Sequence, residues 1–272
     1  MCNVLEVSRS GYHKYLKGQM LQRRRENMFL EAEIREIYES KRGRYGSPRI
    51  HMELISRGIK VNRKRVERIM RTNNIYAHGK RKFKATTNSK HKKPVAENLL
   101  SQNFQTDAPN KVWVSDITYI RTYEGWLYLC VIIDLYSRMA VGCSMSSRAK
   151  AALVTSAIEQ ALINRRPGEG LIFHSDRGSQ YASDAVRELL NENGITQSMS
   201  RKGNCYDNAP AESFFHTLKV ELVYNCDFKT RLEAKNSIFD YIEIFYNRQR
   251  MHSYLNYLSP IEFERLNIKL VA

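Results

Sequence analysis

Three acidic side chains, Asp116, Asp176 and Glu212, stand where a strand, a strand end and a helix start are expected. A lysine, Lys219, follows seven residues after the glutamate. Carboxylates brought together are hard oxygen donors, and they suit Mg²⁺ or Mn²⁺ better than softer metals. A few protein ligands suffice, because phosphate oxygens and waters complete the shell. Two such ions about 3.5–4 Å apart activate the attacking oxygen and steady the leaving one in an in-line displacement. That is the chemistry of phosphodiester cleavage and transfer. His216 and Lys219 fall at i+4 and i+7 from Glu212, on its helical face, so Lys219 can hold a DNA phosphate there. The chain has 28 acidic residues, so residue type alone leaves other readings open. Asp116 can be a solvent-facing strand residue. Asp176 can form an Asx turn ahead of Gly178, and Glu212 can complement the dipole of a helix's first turn. His174 reads as a packed or hydrogen-bonded neighbour of Asp176 and not as a ligand.

The elements that would position these groups are legible around them. KVWVSDITYI, from Lys111 to Ile120, is a β-rich run, and Glu124-Gly125 punctuates it. Trp126 to Leu135 has the composition of a strand buried on both faces, and Arg138 to Met145 makes a third strand. Ala149 to Asn164 is helical, with Leu153, Ala157, Ile158, Ala161 and Leu162 on one side, and Pro167-Gly168 ends it. Leu171 to His174 is a fourth strand running into HSDRGSQY. Ser183 to Asn193 is a helix closed by Gly194, and Ile195 to Met199 a fifth strand. A meander followed by alternating helix and strand predicts a mixed α/β sheet with helices on its faces. Sites in such sheets form at strand carboxyl ends, where Asp116 and Asp176 would meet.

In DNAPAESFFHTLKVELV, Asn208 can cap a helix with Pro210 in its first turn. Phe215, Leu218 and Leu222 then face the sheet. Thr230 to Glu233 is a capping box opening a helix to about Tyr246. Beyond it, Tyr246, Asn247, Arg248 and Arg250 can follow a DNA backbone. Trp113 and Trp126 read as core, and Cys130 and Cys143 as small hydrophobes in strands. Tyr119 and Tyr123 can stack on a flipped base, although packing or plain surface is the default for them.

The charge is unevenly placed. The net charge is +16; residues 1–100 carry 25 Lys+Arg against 9 Asp+Glu, and the remainder carry 19 of each. A basic module that meets a polyanion, joined to a neutral module, explains this better than a uniformly solvated surface. Residues 20–40 show a helical stripe of Met28, Leu30, Ile34, Ile37 and Tyr38. Ser47 can cap a helix through Ile50, Leu54 and Ile55 to Gly58. Asn62 can cap another, RKRVERIMRTNN, with Val66, Ile69 and Met70 inward. This pair is compatible with a helix-turn-helix whose Arg63, Lys64, Arg65 and Arg68 reach DNA, and equally with a plain helical hairpin bearing a basic face. Residues 77–104 read as a basic linker in which Lys80, Arg81 and Lys82 can lie along a DNA backbone.

Other classes are disfavoured. The longest apolar run, Trp126 to Ile133, is far short of the roughly 18 residues of a membrane span. No secretory signal is evident at the N-terminus. The five cysteines are scattered, without a CxxC pair, which argues against a zinc site or a disulfide framework. A reduced, cytoplasmic setting follows.

Thirty-five residues separate Asp176 from Glu212. The neighbourhoods WVSDITYI, HSDRGSQY and DNAPAESFFHTLK, in that order, resemble the DD(35)E core of retroviral-type integrases. More closely, they resemble the second-frame (OrfB) product of transposases of the insertion sequence 3 family. SRSGYHKYLK and YGSPRIHMEL resemble that family's N-terminal helical region, and YNRQRMHSYLNYLSPIEFE its C-terminal signature, so nearly the whole chain is covered. The resemblance implies a small basic helix-turn-helix-like domain over residues 1–76, the 77–104 linker, an RNase H-like core over 105–225, and a C-terminal helical extension over 226–272. It implies Asp116, Asp176 and Glu212 as a triad holding Mg²⁺ or Mn²⁺, two ions in all, with Lys219 contacting DNA near the scissile phosphate. It further implies element-end and target DNA as partners, homo-oligomer assembly on that DNA, and a nucleoid-associated, cytoplasmic protein. An upstream-frame (OrfA) segment, fused or separate, would supply end binding. The implied activity is 3′-end cleavage and strand transfer. A hydrolytic nuclease of the same fold and a catalytically inert DNA-binding regulator are the alternatives.

Overall fold

The computed structural model describes residues 2, 4–16, 22–79 and 93–268. The chain divides into two compact units, Met1–Gly79 and Lys80–Ala272. The first is all-helical: α1 (Arg9–Leu16), α2 (Gln22–Ser40), α3 (Ser47–Ser56) and α4 (Arg63–Thr72). Leu30, Ile34 and Ile37 of α2 meet Ile50 and Leu54 of α3 and Val66, Ile69 and Met70 of α4 in one buried core. These are inward positions read from the sequence, whereas Met28 and Ile55, read onto the same stripes, are exposed. Asn62 caps α4 as expected, its side chain accepting from the Lys64 N–H at 2.8 Å. The cap of α3 differs from expectation. Gly46 holds the cap position and Ser47 is already the first helical residue, so no side-chain oxygen caps this end. Pro48 still sits in the first turn, where its missing N–H costs nothing.

The second unit is built on a five-stranded mixed sheet: β1 (Val112–Thr122), β2 (Gly125–Asp134), β3 (Ala140–Ser146), β4 (Ile172–Ser175) and β5 (Thr196–Met199), in the order β3-β2-β1-β4-β5. The first three strands form the antiparallel meander, and β4 and β5 add to β1 in parallel. The crossover helices are α5 (Ala151–Arg165) and α6 (Asp184–Glu192). Trp113, Ile132 and Val141 from the sheet, Leu153, Val154, Ala157, Ile158 and Ala161 from α5, and Val186 and Leu190 from α6 make a single buried cluster. Gly142 is what lets α5 approach so closely. A Cβ there would lie 2.4 Å from the Ala157 carbonyl and 2.8 Å from the Ala161 Cβ.

Side chains alternate along a strand. Since Trp113 packs toward α5 and α6, Asp116 emerges on the opposite face of β1. That face meets α7 (Ala209–Glu221), which packs on β1 and β2 through Phe214, Phe215 and Leu218.

The C-terminal helices belong to the same unit. α8 (Arg231–Phe239) opens on the expected capping box: the Thr230 hydroxyl accepts from the Glu233 N–H, and the Glu233 carboxylate accepts from the Lys229 N–H. It does not run as an α-helix to Tyr246, because Asp240–Tyr246 is π-helical. The wider turn accompanies burial of Tyr241, Ile242, Phe245 and Tyr246 together. α9 (Pro260–Ile268) is fastened by Glu264, which takes hydrogen bonds from Arg165 and from the Ser137 hydroxyl. Among the described residues no helix is long and apolar enough to cross a membrane.

Two readings of side chains are corrected. Trp126 is not core: it is 47% exposed, because it stands at the solvent end of the β1–β2 hairpin, one residue past the turn. Tyr246, Asn247 and Arg250 do not line a DNA path. All three are buried, with the Tyr246 hydroxyl on the Arg138 carbonyl, the Asn247 amide exchanging bonds with the Ala140 backbone, and Arg250 on Glu221. Arg248 of that stretch is exposed.

Candidate active site

The parallel pairing of β1 and β4 places Ser115 opposite Ser175. Asp116 is the next residue within β1, which runs on to Thr122, and Asp176 is the first residue past the end of β4. The pairing of the two strands thereby brings two carboxylates near one another, and the Asp116 carboxyl feels the Asp176 charge. α7 brings the third. Its N-terminus is tied to β1 by Asn208, whose amide donates to the Ser115 carbonyl at 3.0 Å, so the helix starts beside Asp116. Asn208 occupies the cap position, but its side chain is spent on this tie and not on a cap. Glu212 lies in the first turn, exposed, with His216 and Lys219 on later turns of the same face.

Electrostatics couple the three carboxylates through mutual repulsion. Burial pushes the Asp116 carboxyl well above its usual range, and the charges of Asp176 and then Glu212 push it further. Glu212 is raised by partial burial and by Asp176. Burial lowers Lys219, against which the nearby Asp116 charge acts. Each of the three carboxylates therefore sits in the field of another, with one buried lysine as the nearby compensating charge.

The surroundings hold the acids from behind. One Asp176 oxygen accepts from the Gly178 N–H at 2.8 Å, so the Asx turn anticipated as an alternative is present and serves to aim the carboxylate. A Cβ at residue 178 would lie 2.9 Å from that same oxygen. Gly178→Ala is thus expected to turn Asp176 aside and lower DNA-joining activity about 10–100-fold, the usual loss when a ligand's support is disturbed. A joining-rate assay beside an unchanged thermal midpoint would show it. His174 is fully buried between the hydroxyls of Ser198 and Ser200, and burial lowers it to about 4. It is the packed neighbour anticipated from the sequence. Beneath β1, the Ser115 hydroxyl meets the Tyr181 hydroxyl at 2.8 Å.

Sequence reading missed Asp207. It is fully buried and collects hydrogen bonds from Asn98, Gln102 and the backbone and guanidinium of Arg201, which hold its carboxyl well below the usual range. That hub fixes the turn leading into α7, and with it Glu212. Its position next to Asn208 was the available signal.

The donor set fits a hard divalent cation. It offers carboxylate oxygens only, and their mutual repulsion leaves a deficit of positive charge. Among the described residues no three His, Cys, Asp or Glu side chains already surround one point closely enough to ligate it.

Of the sequence-read DNA contacts, Arg63, Lys64 and Arg68 are exposed on α4. Arg65 is turned back onto α2, donating to Glu26 and Asn27. Lys80, Arg81 and Lys82 lie outside the described residues.

A mixed five-stranded sheet with Asp116 inside β1 and Asp176 just past β4, with a basic helical unit earlier in the chain, has the organisation of the integrase class of polynucleotidyl transferases. The description "Integrase core domain" matches residues 106–205 and again 212–268, and "HTH-like domain" matches 24–83. The chain belongs to the insertion sequence 3 family of transposases. It is 42% identical over 270 residues to the "Transposase InsF for insertion sequence IS3A" of Escherichia coli K12, covering 98% of this chain and 94% of that one. It is 48% identical to the "Insertion element IS600 uncharacterized 31 kDa protein" of Shigella sonnei over the full length of both. A transposase of the element IS904 from Lactococcus lactis is 47% identical over 89% of this chain and 96% of its own. Among solved structures, a chain of the simian T-cell lymphotropic virus intasome, determined with a PP2A regulatory subunit, has a TM-score of 0.50 at 13% identity. The match covers 84% of this chain and 73% of that one, and it shows the shared RNase H-like fold.

Proposed function

We propose that this transposase cuts and joins DNA at the cluster of Asp116, Asp176 and Glu212. The observation that supports the reading is the β1–β4 register, which pairs Ser115 with Ser175, the residues just before Asp116 and Asp176. In the first step a water oxygen forms a bond to phosphorus and the 3′ oxygen leaves, taking a proton. In the second, that 3′-hydroxyl attacks a target phosphodiester and displaces another 3′ oxygen. No covalent protein intermediate is required.

The three carboxylates would hold Mg²⁺ or Mn²⁺, two ions on this reading, which when bound supplies positive charge for the reacting phosphate and lowers the pKa of an attacking oxygen. The protein's own contribution is placement. Gly178 and Asn208 fix the directions of Asp176 and of α7, while the fully buried sheet core beneath keeps both strands rigid. Lys219, buried beside Asp116, is suited to a phosphate oxygen once DNA enters. Exposed Arg63, Lys64 and Arg68 on α4 serve the DNA backbone, with Lys80, Arg81 and Lys82 of the basic linker assigned the same role from the sequence. Assembly as a homo-oligomer on the element ends, with an upstream-frame segment supplying end recognition, completes the reading.

The test is a joining assay on labelled DNA with Mg²⁺. Asp176→Asn should bind DNA in a gel shift as the parent does and yield no joined product. Joined product at the parental rate would remove these residues from the chemistry. Nicked but never joined product from the parent would favour a hydrolytic nuclease.

A further inference from the structure

Two exposed aromatic rings stand beside the lysine of this site. Tyr119 is 38% exposed and Trp126 47%. Their rings meet edge to face, with centroids 5.0 Å apart and planes at 86°. The Lys219 ammonium lies 5.5 Å from the Tyr119 ring centre, and the same ammonium feels the Asp116 charge. Strand alternation turns the Tyr119 and Asp116 side chains to opposite faces of β1, and Lys219 is the link between the aromatic pair and the acidic cluster. Two arginines border the pair, Arg121, exposed and paired with Trp126 across the hairpin, and Arg231, which donates to the Trp126 carbonyl while its backbone N–H meets the Glu124 carboxylate. Two half-exposed rings set edge to face beside a cation present flat apolar faces to solvent, the kind of surface a flat ligand can stack on.

We propose that Tyr119 and Trp126 form a stacking platform for an unpaired nucleobase of the DNA next to the reacting phosphate. The proposal rests on the reading of the acidic cluster as the site of DNA cleavage and joining. A base offers a flat π face to the indole and carries its phosphate toward Lys219. Stacking of this kind is tolerant of sequence, since every base has such a face. The bordering arginines favour a nucleic acid over an apolar protein surface. A platform here would hold the strand end out of the duplex while its phosphate lies among the carboxylates, and so would add a positioning element for the substrate.

The chain has two tryptophans, and Trp113 is fully buried. Trp126 thus reports any stacking by its own fluorescence. The probe is a single-stranded oligothymidylate of about 20 nucleotides, longer than a typical site of roughly 4–16. A sugar–phosphate strand of equal length without bases serves as its partner. The full-length protein should show quenching with the base-bearing strand and little with the abasic one, and Trp126→Phe should lose that signal. Trp126→Ala should weaken binding of the base-bearing strand about 5–100-fold, the range of one lost base–aromatic stack, and leave abasic binding unchanged. Trp126→Phe should retain most of the affinity, which separates stacking from a folding defect.

Equal binding of the two strands, or of parent and Trp126→Ala, overturns the platform. So does a change in sedimenting mass for Trp126→Ala with DNA binding unaltered, which would make this face a contact between copies of the chain. If the parent quenches as described but never joins DNA, the proposed function fails and the platform stands. If it joins DNA without quenching, the platform fails alone.

Discussion

Asp116→Asn is expected to abolish DNA joining, on the order of 10³-fold or more, the scale of losing one preorganised charge from a phosphoryl-transfer site. The same substitution should make the metal-free protein harder to unfold. Both follow from the raised carboxyl. Asp116 is half-buried against the charges of Asp176 and Glu212, so its ionised form is disfavoured in the folded state and not in the unfolded one. A carboxyl whose folded pKa lies above its unfolded value binds its proton more tightly in the native state. Its contribution to stability is full below the unfolded value, near 4 for an aspartate. It is lost as pH rises through the raised native value. The parent should therefore lose stability across that window, and the Asn variant should lose less, ending roughly 0.5–2 kcal/mol more stable at neutral pH. Urea unfolding at several pH values, in chelator, reads this directly. If the variant is equally or less stable at every pH, Asp116 is not under the strain its surroundings imply. Added Mg²⁺ should reverse the order, stabilising the parent and leaving the variant nearly unmoved, because only an intact cluster gains from the cation.

How much of this was legible beforehand depends on whether each feature is local. The strands and helices of the second unit were readable because their apolar periodicity is local, and so was the inward face of α4. Asn62 and Thr230 were readable as caps because the signal spans only a few residues. The three acids were readable as candidates from residue type and expected element. Their convergence was expected from the strand order and from the family resemblance, but the register that produces it, Ser115 paired with Ser175 sixty residues away in the chain, could not be read locally. Trp126 was misread because an apolar run was taken to be buried throughout, whereas a hairpin's end emerges into solvent. Ser47 was misread because a good capping residue stood one position inside the helix that Gly46 begins. Asp207 passed unnoticed because its place beside Asn208 is a weak signal and its partners Asn98 and Gln102 lie more than a hundred residues earlier in the chain.

The pair of Glu221 and Arg250 was the costliest omission, and it supports the second large expectation. Arg250 stands in a stretch that reads as a basic DNA contact, yet it is 5% exposed. Its guanidinium donates twice to Glu221 Oε1, at 3.1 and 2.8 Å, and once to Oε2 at 2.9 Å. The Tyr241 hydroxyl adds a bond to Oε2 at 2.7 Å. The burial of Arg250 disfavours its charge, but the facing carboxylate more than compensates and its pKa is raised. Glu221 is the last residue of α7, so this pair clamps the end of the helix that carries Glu212 and Lys219 to the segment after α8. Removing one partner strands the other charge away from water. Arg250→Ala is therefore expected to destabilise the protein by about 3–5 kcal/mol, the cost of breaking a buried pair from one side. Replacing both members, Glu221→Gln with Arg250→Met, should recover much of that loss, because a neutral pair leaves no stranded charge. A denaturation midpoint for the two variants decides it. A small effect of Arg250→Ala on stability, together with weakened DNA binding, would return this arginine to the surface role that its neighbours in sequence suggested.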